Sequence, residues 1–334
     1  MNSDLILRTP SGLTTIVRDP FQILSLSGGG FRGLYTATLL EKLEEAADKP
    51  LSEVFDLIAG TSIGGILAIG LAAGVKASKL REAFEQNAES IFPRFHKIKG
   101  IKFCPRLKTG IFRGRYPQTG LKATVESILS ATGAASIQDL KTKILVSSVD
   151  VTDNAARIFT SDDQTSPSTP LVDIALATSA APSYFPEHKL GNNILVDGGL
   201  IANAPDMIAV MSVLRTQRLD DVRMVSIGTA GREGGKASRK PRSSGWLTGG
   251  KDVFLLTLDA QEQLSVSWTE ELLRSHYVRF DCSPSSEEQK VIGLDRTGKD
   301  VSETLAAMAA RTFKGCFESN RAMLVEMLNR KRAR

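Results

Sequence analysis

The stretch Ile58-Ala59-Gly60-Thr61-Ser62-Ile63-Gly64-Gly65 constrains this chain more than any other. The apolar run 55–59 predicts a buried strand, and 63–73 predicts a helix directly after it. Between them stands Gly-x-Ser-x-Gly. A strand that turns at once into a helix passes its own backbone closely, and glycine at 60 and 64 leaves the room. Such a turn lifts the hydroxyl of Ser62 clear of the sheet. The helix then points its first amides at any oxygen held there. The same letters also fit a serine that only caps a helix.

The rest of the chain has the rhythm of an α/β fold. Residues 21–26 read as a first buried strand, which runs into Ser27-Gly28-Gly29-Gly30-Phe31-Arg32-Gly33. A helix follows with Leu34, Leu39, Leu40 and Leu43 on one face, ending near Asp48-Lys49-Pro50. Two successive strand–loop–helix units predict two parallel neighbours whose loops share the carboxyl edge of one sheet. Further helices are expected at 78–90, 119–129, 171–180, 206–214, 252–274 and 301–329. Strands are expected at 142–151, 155–160, 193–196, 223–227 and 276–280. The expectation is a three-layer α/β fold, with a mostly parallel central sheet flanked by helices. No internal repeat and no clean boundary is visible, so one domain is expected over 1–334, with a helical extension from about 250.

Composition narrows the class. The 334 residues, 42% hydrophobic and 24% charged, suit a soluble protein with a sizeable core. Lys and Arg outnumber Asp and Glu by 42 to 37, a net charge of +5. That mild excess suits an anionic partner: a membrane surface, a nucleotide or a nucleic acid. The three cysteines, Cys104, Cys282 and Cys316, are too widely spaced for a zinc pattern or a disulfide framework, which fits a reducing compartment. Residues 1–20 lack the apolar run of a signal peptide, and 63–75 is too short and glycine-rich to span a bilayer. The expectation is a cytoplasmic protein that touches membranes without crossing them. Two segments suggest contact roles. Residues 94–115 hold eight Lys or Arg, no acid and many bulky apolar side chains, as a cap or flap meeting anionic lipid or a bound anion would, though a solvated basic connection reads the same way. Residues 228–250 read as a Gly-, Ser- and Lys/Arg-rich surface loop.

A serine hydroxyl needs a partner to take its proton. The chain has three histidines, His96, His188 and His276. None follows a strand at the carboxyl edge where the elbow stands, although Ser62, Asp197 and His276 keep the chain order of one known kind of triad. A carboxylate near the hydroxyl and partly withdrawn from water can act instead. Asp197 ends the apolar run Ile194-Leu195-Val196, and two glycines follow that allow a tight turn. An Asp-Gly turn without function reads the same way. The loop Gly28–Gly33 offers backbone amides free of side chains. They could serve a developing oxyanion or cradle a phosphate, as Gly28-x-Gly30-x-x-Gly33 does by letter in dinucleotide sites.

Taken in order, Gly-Gly-Gly-x-Arg-Gly, then Gly-Thr-Ser-x-Gly, then Ala177-Thr178-Ser179-Ala180-Ala181-Pro182-Ser183-Tyr184-Phe185-Pro186, then Asp197-Gly198-Gly199, resemble the patatin-like phospholipases over about residues 21–214. The resemblance implies a Ser–Asp dyad with Ser62 as nucleophile and Asp197 as base. It implies that Gly28, Gly29, Gly30 and Arg32 lie around the oxyanion hole. It also implies hydrolysis of acyl esters of membrane glycerophospholipids with no metal and no cofactor, by peripheral contact with the inner membrane. Length and the extended C-terminal part resemble, more narrowly, bacterial members switched on by a cyclic dinucleotide in anti-phage signalling. On that reading the partners are lipid, a cyclic dinucleotide activator and a further copy of the chain, not a nucleic acid polymer. Against it stand a nucleotide-binding module built on Gly28–Gly33, and a Ser-Asp-His hydrolase of another ester.

Overall fold

A computed structural model describes residues 19–93, 114–163, 167–231 and 246–330, with two short strand pairs, 5–8 with 14–17 and 97–98 with 101–102. The central strands are β1 (Phe21–Leu26), β2 (Leu57–Thr61), β3 (Lys143–Asp150), β4 (Ala155–Thr160), β5 (His188–Leu190), β6 (Asn193–Asp197), β7 (Val222–Ile227) and β8 (Tyr277–Phe280). They form one sheet in the order β8-β7-β1-β2-β3-β6-β5, with β4 also paired to β3. The run from β8 to β3 is parallel, while β4, β5 and β6 are antiparallel to their neighbours.

The helices that use this sheet are α1 (Gly33–Ala47), α2 (Ile63–Ala72), α3 (Ala77–Gln86), α4 (Thr119–Ser130), α5 (Leu171–Thr178), α6 (Asp206–Val213), α7 (Trp246–Leu273), α8 (Lys299–Ser319) and α9 (Arg321–Asn329). Successive strand side chains point to opposite faces. Leu24, Leu26, Ile58, Val146 and Ile227 therefore pack with the helices on one side, α1 to α5, α8 and α9. Ile23, Leu57, Ala59, Leu145 and Met224 pack with α6 and α7 on the other. With both faces covered, the parallel strands are apolar nearly throughout rather than alternating. This is the expected three-layer α/β fold. The apolar stretch after Ser62 is α2, wholly buried, and among the described residues no helix is long and apolar enough to cross a membrane.

Some elements differ from expectation. The helix expected over 301–329 breaks at Asn320, where the backbone leaves helical geometry (φ −121°, ψ 23°) and the side-chain amide donates to the Cys316 carbonyl at 2.9 Å. The break lets α9 fold back so that Arg330 grips both carboxylate oxygens of Asp56 at 2.7 and 3.0 Å. Helix α5 stops at Thr178, and α7 begins at Trp246, inside the stretch read as loop. The expected cap lies outside the described residues, apart from 97–98, 101–102 and 114–115; so do residues 232–245 of the expected loop.

One detail of register positions everything that follows. Ser147 of β3 pairs with Ile158 on one flank and Thr61 on the other. Val149 pairs with Ala156 and Val196. Strands β2 and β6 therefore lie on the same flank of β3 and run toward each other. Strand β2 ends at Thr61 opposite Ser147, and β6 ends at Asp197 opposite Ser148.

Candidate active site

Because the two strands stop against adjacent residues of β3, both chains leave the sheet at one point. Ser62 Oγ donates to Asp197 Oδ2 at 2.7 Å, across 135 positions of sequence. Ser62 has φ 55° and ψ −125°, a backbone that side chains other than glycine rarely adopt, and such strain costs about 1–3 kcal/mol. The turn is held from outside. The Ser62 N–H donates to Thr178 Oγ1 at 2.9 Å, and that hydroxyl donates to the Ser147 carbonyl at 2.6 Å. A Cβ on Gly60 would collide with the backbone of Gly64, so the close crossing expected of the elbow is present.

Asp197 is 3% exposed. Its other oxygen accepts the Gly199 N–H at 2.7 Å. Burial pushes its pKa up to about 6 from an ordinary 3.8, against the two hydrogen bonds from Gly199 and Ser62 that favour the anion. The segment ahead of it works as a brace: the Asp197 N–H donates to the Ala180 carbonyl and the Gly198 N–H to the Thr178 carbonyl. Thr178 thus touches both the serine turn and the aspartate turn, a role no reading of the sequence had assigned to it.

The glycine loop faces the same point from β1. The Gly28 N–H is taken by the Asn203 carbonyl at 2.9 Å, that of Phe31 by Leu294 at 2.8 Å and that of Arg32 by Gly29 at 3.2 Å. Among the described residues, the N–H groups of Gly29 and Gly30 have no partner. Gly30 has φ 57° and lies so close to the Leu294 carbonyl that a Cβ would collide with it. A Cβ on Gly28 would meet the Asn203 side chain and Ser62 Cβ. Arg32 sits behind the loop, its guanidinium against Gly231. With three amides already bonded and Leu294 across Gly30, little of the loop is open to cradle a phosphate.

Beneath the loop lies a charged cluster that sequence reading missed. Asn203 Nδ2 donates to Glu262 Oε2 at 2.5 Å and, more weakly, to the Gly28 carbonyl at 3.3 Å. Arg279 binds Glu262 at 2.6 Å, Asp281 at 2.8 Å and Ser226 at 2.7 Å. Asp206 accepts from Ser25, Ser226 and Tyr277 at 2.6 to 2.8 Å. Burial opposes charge on Arg279, but Asp281, Glu262 and Asp206 outweigh it and raise its pKa. Burial raises that of Glu262.

Gly29, Gly30, Ser62, Asp197 and Asn203 line a cavity of about 740 Å³, counting its open mouth. The rest of its lining is mostly apolar, with Phe31, Leu34, Phe84, Phe92, Leu121 and Phe185 beside Ser179 and Tyr184. The histidines lie elsewhere. His188 Nε2 is 3.2 Å from Asp173, and His96 lies outside the described residues. His276 precedes β8 at the amino edge, where Tyr277 is level with Met224, Ile23 and Leu57. Three strand spacings and six residues of rise put it about 25 Å from Ser62. The order Ser62, Asp197, His276 therefore makes no triad. Among the described residues no group of acidic, His or Cys side chains could hold a metal ion.

Residues 24–210 match the family described as patatin-like phospholipase. A Pseudomonas aeruginosa protein named cGAMP-activated phospholipase is 35% identical over 300 residues, covering 85% of each chain. Proteins of the same name from Vibrio cholerae and Escherichia coli are 31% and 30% identical, each over more than nine-tenths of both chains. The match takes in the glycine loop, the elbow, the brace at Thr178 and the aspartate turn together, and on that extent this chain is a member of the patatin-like phospholipase family.

Proposed function

We propose that this protein is a serine acyl hydrolase of phospholipase A type, acting on membrane glycerophospholipids and switched on by a cyclic dinucleotide. The observation that carries the reading is the 2.7 Å bond from Ser62 to a buried carboxylate, lining a mostly apolar cavity and beside two unengaged amides. Asp197 takes the proton of Ser62 as the oxygen attacks the acyl carbonyl. The N–H groups of Gly29 and Gly30 receive the oxyanion; Gly28 and Arg32 shape the loop around them. The protonated Asp197 then gives its proton to the leaving lysolipid oxygen. Water, activated by the same carboxylate, releases the fatty acid from Ser62. The acyl chain occupies the apolar cavity, so the enzyme works at a lipid surface, at the inner membrane of a bacterial cell. The name shared by the relatives supports an activator of the cyclic dinucleotide class; a part in anti-phage defence rests only on the narrower resemblance in length and C-terminal extension. We read 1–334 as one domain, since β8, late in the chain, pairs with β7 in the sheet that β1 opens.

The test is fatty-acid release from phosphatidylethanolamine and phosphatidylglycerol vesicles, with and without cGAMP. Wild type releases fatty acid when the ligand is present; Ser62→Ala and Asp197→Asn, folded to the same degree, do not. Equal rates for wild type and Ser62→Ala would sink the assignment.

A further inference from the structure

A second cleft opens beside the acyl cavity and shares the Phe92 wall with it. Its volume is about 1150 Å³, counting its open mouth. Around it stand Arg115, Tyr116, Lys290, Arg296 and Asp300. Arg296 has no carboxylate partner among the described residues; its guanidinium donates to the Lys290 carbonyl. Among the described residues, Lys290 pairs with Glu287 alone, at 2.6 Å and in an exposed position. The amino end of α8 adds amides that no side chain caps, since its N-cap is Gly298. The cleft thus sets three cations, Arg115, Lys290 and Arg296, against two carboxylates, Asp295 and Asp300, beside the aromatic rings of Phe92 and Tyr116; cations and rings together are the chemistry that takes phosphodiesters joined to bases.

The cleft is also wired to the glycine loop. Asp295 accepts from Arg115 at 2.7 Å and from the Tyr116 hydroxyl at 2.9 Å. One residue before it, the Leu294 carbonyl holds the Phe31 N–H and lies against Gly30, while Leu294 itself lines the acyl cavity. Building on the activator reading above, we infer that this cleft is the regulatory site. The two phosphates of a cyclic dinucleotide meet Arg296 and Lys290 there and draw Arg115 away from Asp295. The Arg115 side chain of this ion pair is 43% exposed, so a doubly anionic ligand can reach the guanidinium and compete for it. Once Asp295 is released, residues 292–297 shift, and Leu294 carries the shift to Gly30 and to the cavity wall. The ligand moves the equilibrium because it binds the released form more tightly than the latched one.

The test is calorimetric titration of the full chain with cGAMP, paired with fatty-acid release from vesicles. Arg296→Ala and Lys290→Ala should each weaken binding about tenfold, as loss of one charge-assisted contact does, and raise the half-activating concentration in step. Release at saturating ligand and the melting temperature without ligand should stay at wild-type values. Asp295→Asn should raise release without ligand, because it loosens the latch. If a variant carrying both Arg296→Ala and Lys290→Ala binds and responds as wild type does, the site assignment falls while the activator reading stands. If wild type neither binds nor responds to cGAMP, cyclic di-GMP or cyclic di-AMP, both fall. If the variants bind cGAMP normally but lose release only on phosphatidylglycerol vesicles, the cleft receives a lipid headgroup and the inference is wrong.

Discussion

The Ser62 hydroxyl and the Asp197 carboxylate meet because the strands that carry them run head-on along one flank of β3 and stop against its adjacent residues Ser147 and Ser148. A parallel strand arriving from one side and an antiparallel one from the other leave no gap between their ends. The dyad geometry is thus set by rigid sheet rather than by mobile loop. The brace from Thr178 to both turns removes what freedom remains.

The buried carboxylate makes activity and stability oppose each other. In its proposed role as base, Asp197 must be ionised, so kcat/KM should rise with pH and reach half its plateau near pH 6. Its folded pKa lies above the unfolded value, so ionisation costs stability above about pH 6 and nothing below about pH 4. Asp197→Asn should therefore be more stable than wild type at pH 8, by on the order of 3 kcal/mol. The advantage should vanish at pH 4. Urea midpoints at the two pH values check both statements.

The strain at Ser62 predicts an order among inactive variants. Ser62→Ala keeps a Cβ at φ 55°, whereas Ser62→Gly suits that backbone. Glycine loosens the unfolded chain by up to about 1 kcal/mol, but relief of strain is about 1–3 kcal/mol. Ser62→Gly should unfold at a higher urea concentration than Ser62→Ala. The reverse order would mean that the turn is unstrained.

Arg279 holds three buried carboxylates together under the glycine loop. Arg279→Met should cost about 3–5 kcal/mol at pH 8, since it strands those charges without a partner. Burial already raises the pKa of Glu262 and Arg279 holds it down, so without Arg279 the loss should shrink as pH falls and Glu262 takes up its proton. Chemical denaturation at falling pH reads it. Asn203→Ala leaves the charges paired but frees one side of Gly28. It should lower kcat about tenfold or more with little change in KM, as misaimed oxyanion donors do.

The apolar cavity should measure acyl length. Leu121 lines it from α4, and Leu121→Phe takes up space there. The ratio of kcat/KM for octanoyl over palmitoyl esters should rise about tenfold. An unchanged ratio would place the acyl chain elsewhere.

Much of this was legible along the chain. The strand, glycine loop and helix after residue 21, the elbow at Ser62 and the aspartate turn at 197 are local patterns whose period and turn residues state their own geometry. The family blocks also marked Ser62 and Asp197 for one site. What the sequence could not state is why they touch, since that follows from a shared flank on β3 known only from pairing register. The same holds for the Arg279 cluster. Glu262 on a helix and Arg279 on an edge strand look like solvated residues until α7 and β8 close over the loop. Leu294 gave no sign that it would lie across Gly30, more than 260 positions away. Local sequence determined which turns form, because backbone sterics act over a few residues. Tertiary structure alone decided which turns meet, because burial and buried hydrogen bonds act between segments that are distant in the chain.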